Sequence, residues 1–104
     1  MTELKLLSTQ TYENDKAELY EIADYKVQAV FEDEKLDFIQ IYTESDERFI
    51  PNIYYRKSLA TKKQEFTIQS TSYGDLNVTD FQKMMNYYQQ ALEVVEVLTA
   101  TFIK

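Results

Sequence analysis

Apolar residues recur with helical spacing through the last quarter of the chain, "TDFQKMMNYYQQALEVVEVLTATFIK" (residues 79–104). Phe81, Met84, Tyr88, Ala91, Val95, Leu98 and Phe102 follow one another at alternating steps of three and four, the pattern of a helix with one long apolar seam. Thr79 and Gln82 have the form of a capping box, each side chain closing the other's open backbone N–H. Asp80 suits the positive end of the helix dipole. No Gly or Pro follows, so the helix is predicted to run from about 79 to about 102.

Upstream the period changes to two. "YKVQAVF" (25–31) puts Tyr25, Val27, Ala29 and Phe31 on one face of a strand. "LDFIQIYT" (36–43) is rich in β-formers, and the polar "EDEK" between the two reads as a hairpin loop. "RFIPNIYYR" (48–56) carries Phe49, Ile53 and Tyr55 on one face, and Pro51, which lacks a ladder donor, marks it as an edge or bulged strand. "EFTIQSTSY" (65–73) alternates, with Phe66 and Ile68 inward, before Gly74-Asp75 turns the chain into the helix. Val30, Ile39, Ile41, Ile50 and Tyr54 form a modest second apolar face. In residues 1–24, Asp15, Glu18, Leu19, Ile22 and Ala23 predict a short helix at about 14–23, against the alternative of one long strand through "ELYEIADYKVQAVF". No internal repeat is visible. The predicted fold is one α+β domain over residues 1–104: a four-stranded antiparallel meander packed against one long C-terminal helix, with the N-terminal segment a short helix or an extra strand.

The helix has more apolar surface than one sheet face needs. Met85 and Leu92 flank the seam on one side, Tyr87 and Val94 on the other. A helix of about 24 residues extends roughly 36 Å, whereas strands of about seven residues extend about 23 Å. The surplus predicts a homodimer through this helix, with Met85, Tyr87, Leu92 and Val94 at the interface.

Composition narrows the chemistry. The chain has no Cys and no His, which excludes disulfides, thiol nucleophiles, histidine proton shuttles and thiolate or imidazole metal sites. Its single Gly, Gly74, leaves no glycine-rich phosphate loop. The reading expects no enzyme, catalytic residue, cofactor or metal. The first ten residues lack the long apolar run of a leader, and Lys83, Glu93 and Glu96 interrupt the C-terminal stripe. A cytoplasmic protein with no membrane association is expected.

Charge is divided unevenly. The net charge is −7, yet residues 1–47 hold 13 acids against 4 bases, and residues 48–104 hold 5 acids against 7 bases. Two acidic groups stand out: Glu32, Asp33, Glu34 and Asp37, then Glu44, Asp46 and Glu47. Neither has the alternating ligands, central Gly and closing Glu of a calcium loop. They predict an acidic face that meets a basic protein partner, as in small phage or mobile-element proteins that imitate nucleic acid and inhibit proteins that handle it. The alternative is a single-stranded nucleic-acid binder. Tyr54, Tyr55, Arg56 and Lys57, with Lys62 and Lys63, combine rings that stack on bases with cations that meet phosphates. The charge of the whole chain weighs against that alternative.

Overall fold

The computed structural model describes residues 2–57 and 59–103. Among them six strands precede one helix: β1 (Lys5–Tyr12), β2 (Asp15–Ile22), β3 (Tyr25–Glu32), β4 (Lys35–Tyr42), β5 (Ile53–Lys57), β6 (Gln64–Ile68) and α1 (Val78–Phe102). β1 to β4 form a four-stranded antiparallel sheet in chain order, and β5 and β6 form a two-stranded hairpin beside it. The α+β class, the antiparallel meander and the long C-terminal helix are as the sequence predicts. The strands that make the meander are not all the expected ones.

Residues 14–23 are neither a helix nor part of one long strand. The extra-strand alternative holds: residues 15–22 are β2, with 14 and 23 in the turns on either side, and residues 5–12 are β1. Each strand of the meander has eight residues and each connection two, so β1, β2, β3 and β4 begin at Lys5, Asp15, Tyr25 and Lys35, a ten-residue structural period. The connections are tight because their residues adopt positive φ: Glu13 at 45°, Ala23 at 52°, and both Asp33 and Glu34 at 51° and 68°. Two-residue hairpins need that backbone to follow strand twist, usually with Gly or Asn in place. Here side-chain-bearing residues hold it.

The core-facing row of the meander runs across three strands. Tyr25, Val27 and Ala29 on β3 lie opposite Ile22, Tyr20 and Glu18 on β2, and Val27 and Ala29 lie opposite Ile41 and Ile39 on β4. Ile22, Tyr25, Val27, Ala29 and Ile39 are buried with Ala91, Val94 and Leu98 of α1. Ile39 and Ile41 therefore face the core and not a second apolar face. A register shift between Val30 and Phe31, which sets Val30 opposite Phe38 but Phe31 opposite Leu36, inserts Asp37 as an extra residue and reverses the sides read from β4 alone. Phe38 and Tyr42 point to the uncovered face instead and stay exposed.

Two strands are shorter than predicted. Residues 48–50 are turns, because Glu47 accepts from Ile50 N–H through its carbonyl and from Phe49 N–H through its carboxylate, both at 3.3 Å. Pro51 cannot donate to a ladder, so β5 starts only at Ile53, and its pairing with β6 ends one hydrogen bond beyond Ile68, from Gln69 N–H to the Asn52 carbonyl at 2.9 Å.

The cap of α1 also differs. Asn77 is the N-cap: its Oδ1 accepts from Asp80 N–H at 2.8 Å, and its amide donates to the Asp80 carboxylate at 3.3 Å. Thr79 and Gln82 lie inside the helix and form no capping box. The buried stripe is Ala91, Val94 and Leu98, while Phe81, at the start of the predicted seam, is 50% exposed. A seam repeating every 3.5 residues drifts about 20° per heptad around a straight helix. Leu98 stays inward, and at Phe81, 17 residues or about two and a half heptads away, the seam has rotated out.

Candidate functional site at the hairpin tips

The β1–β2 and β3–β4 turns lie side by side at one end of the meander, joined by a hydrogen bond from Asp33 N–H to the Asn14 carbonyl at 3.1 Å. This contact gathers Glu13, Asp15, Glu32, Asp33, Glu34 and Asp37 with only Lys16 and Lys35 as nearby cations in sequence. An open concavity of about 680 Å³ lies here, lined by Thr11, Lys16 and Phe31 from strands and by Glu13, Asn14, Asp15, Asp33 and Glu34 at the turns. Thr11, Lys16 and Phe31 share the helix-side face of the sheet. The Lys16 ammonium sits 4.8 Å from the Phe31 ring centroid, a cation–π contact that props an apolar surface among carboxylates. A second concavity, of about 440 Å³, includes Tyr12, Glu32 and Asp33, and Tyr12 is 59% exposed.

The opposite end is closed. Tyr25 Oη donates to the buried Pro51 carbonyl at 2.6 Å, and Thr43 Oγ1 donates to the Asp24 carbonyl at 2.7 Å. Tyr73 Oη donates to the Arg48 carbonyl at 2.8 Å. Lys26 meets Glu21 at 2.8 Å and Glu44 at 3.8 Å; Lys83 meets Glu47 at 2.7 Å, and Arg48 meets Asp80 at 3.8 Å. Hydrogen bonds from Lys26 and Lys83 hold the Glu21 and Glu47 carboxyls below the usual glutamate range, and the same bonds raise both lysines. Burial pushes the Tyr25 hydroxyl up, keeping it a donor, and pushes Tyr20 up to about 12 with help from its bond to Glu18.

The seven carboxylates grouped by the sequence therefore separate. Glu32, Asp33, Glu34 and Asp37 lie at the tips, whereas Glu44, Asp46 and Glu47 lie beyond the far end of β4. Glu13 and Asp15, not singled out from the sequence, join the tip group through the Asn14–Asp33 contact. The signal for them is the twenty-residue offset from the β1–β2 turn to the β3–β4 turn, two ten-residue periods, visible only once both hairpins are known. Among the described residues, none of the six tip carboxylates forms an ion pair, while Glu18, Glu21, Glu44, Glu47 and Asp80 each do.

The basic strip divides across the β5–β6 hairpin. Tyr54 and Arg56 share one face, with the guanidinium 4.4 Å from the Tyr54 ring centroid, and Tyr54 Oη donates to Gln69 at 3.3 Å. Tyr55 and Lys57 share the other, where Tyr55 packs on Phe66 at 4.7 Å and against the core. Lys62 and Lys63 follow in the exposed connection. One ring is covered by its own cation and the other by a neighbour, so the strip offers no open stacking platform. On the helix, Val94 is fully buried and Tyr87 packs against the core, leaving Met85 and Leu92 half exposed.

Among the described residues no three Asp or Glu side chains converge as metal ligands, and no helix is long and apolar enough to cross a membrane. No family model matches the chain, and no curated protein or solved structure is similar to it.

Proposed function

We propose that the protein is a non-catalytic interaction domain whose hairpin tips bind a basic protein surface. The observation that supports this reading is the contrast in pairing: Glu21, Glu44 and Glu47 at the closed end are each matched by a cation, whereas among the described residues none of the six tip carboxylates is. Phe31 and Tyr12 among them supply apolar contact, which gives such an interface more than charge alone. A surface shaped to bind DNA or RNA has the matching chemistry, so a phage or mobile-element protein that inhibits a nucleic-acid-handling protein fits the reading. Cytoplasmic residence belongs to the same proposal. Without His or Cys, the chain has no imidazole and no thiol for acid–base or nucleophilic chemistry near pH 7.

The test is a titration with an arginine- and lysine-rich peptide at two salt concentrations. Glu32→Gln/Asp33→Asn/Glu34→Gln weakens binding at least tenfold, whereas Asp24→Asn/Asp46→Asn/Asp75→Asn, with the same change in charge, alters it less than threefold. Equal losses in the two variants, or no binding by the native chain, overturn the site.

A further inference from the structure

Among the described residues, β1 is the uncovered edge of the meander. All eight of its residues are exposed, and among the described residues its ladder runs only to β2. The other edge, β4, has β5 lying against it. An open edge strand carries a row of unpaired backbone donors and acceptors, and folded proteins usually blunt it with charge, Pro or short length. β1 has none of these from Leu6 to Tyr12, a stretch without a single charged residue in a chain of net charge −7. Each other strand of the meander carries at least one carboxylate. Its one irregularity is a register shift between Leu6 and Ser8, which leaves Ser8–Tyr12 regular.

We propose that two copies associate edge to edge through β1, antiparallel about a two-fold axis near Gln10, so that their four-stranded sheets become one continuous sheet. Antiparallel pairing of a strand with itself is self-complementary, as an isologous contact requires. The axis sets Gln10 opposite its own copy, Thr9 opposite Thr11 of the second copy, and Ser8 opposite Tyr12 of the second copy. Hydroxyl and aromatic pairs of this kind suit cross-strand neighbours. The electrostatic argument selects the occupant. A neutral strand is where two acidic copies approach with least repulsion, whereas a basic partner gains nothing there and is drawn to the tips. Leu6 and Tyr12, 51% and 59% exposed, add apolar contact. An edge of this length buries less than the roughly 1,600 Å² of a standard interface, which makes the dimer concentration-dependent. This places self-association on β1 and not on the helix.

Sedimentation from micromolar to millimolar protein tests it. The weight-average mass rises towards that of two chains, and Gln10→Lys, which sets two like-charged side chains directly opposite each other with Cα atoms about 5 Å apart across the axis, raises the dissociation constant at least tenfold without lowering the melting temperature of the dilute monomer. The absence of Cys allows a second test by mild oxidation of single-Cys variants. Gln10→Cys forms a disulfide-linked dimer and Leu92→Cys does not. A monomer at every concentration, or cross-linking at Leu92 without cross-linking at Gln10, overturns the proposal.

Discussion

The two ends of the meander are built from similar strands and nearly equal turns, yet they are stabilised differently. At the closed end a tyrosine, a threonine and three cations tie β2, β3, the 43–52 connection and α1 together. At the open end one backbone hydrogen bond joins two turns, and the carboxylates around it have no ion pair among the described residues. Acidic residues occur at both ends, so composition does not separate them. What separates them is that Glu21, Glu44 and Glu47 at the closed end are ion-paired, whereas among the described residues no tip carboxylate is. Surface pairs of this kind contribute little each, and the closed end draws its rigidity chiefly from buried groups such as Tyr25 and Ile22.

The largest expected effect lies there. Ile22→Ala, at a side chain 1% exposed, costs about 2–5 kcal/mol in urea unfolding, while Leu36→Ala near the tips, only half buried, costs about 1 kcal/mol. Equal losses erase the distinction between the ends. Tyr25→Phe comes next, at about 1–3 kcal/mol, because it strands the buried Pro51 carbonyl without a donor.

The third effect depends on pH. Glu21 and Glu47 have lowered pKa values in the folded chain. The stability they contribute is present above the unfolded value, about 4.3, and is lost as pH falls through the folded values. Lys26 and Lys83 are raised, so their contribution is present below about pH 10.4 and is lost as pH climbs through the folded values. Melting temperatures of Glu21→Gln and Glu47→Gln therefore fall less between pH 5 and pH 3 than those of the native chain. A curve parallel to the native one removes the pairs from the account. The smallest effect is at the tips. Asp33→Asn/Glu34→Gly places Asn-Gly at two positive-φ positions and removes two like charges, raising stability by about 0.5–1 kcal/mol. Unchanged or lower stability shows that the turn is not strained.

Legibility in the sequence followed the same division. β3 was legible because Tyr25, Val27 and Ala29 alternate over a covered face with Phe31 half-buried at its tip-ward end, and α1 because its core contacts fall at helical spacing. β1 and β2 were not, because their tip-ward residues project past the covered part of the sheet. Lys16 and Glu18 can occupy the same side as Tyr20 and Ile22, so no clean period of two survives, and Asp15 with Glu18 imitates a helix start. The turns hid as well, since Glu13 and Ala23 reach positive φ without glycine. The tip site inherited this obscurity: half of it hangs on a hairpin the residues did not announce.

The regular two-residue connections also govern how the chain folds. Every strand of the meander pairs with the strand next to it in sequence, so each hairpin closes over a very short loop. Local hairpins of that kind form in about 1–10 μs, long before a segment many residues away must be recruited. Docking of α1, which brings Leu98 against strands more than 55 residues upstream, carries the main entropic barrier. Mutations at Val94 or Leu98 should then slow folding more than mutations in the β1–β2 turn do. The acidic tips, built from local hairpins, are then expected to be in place before α1 docks.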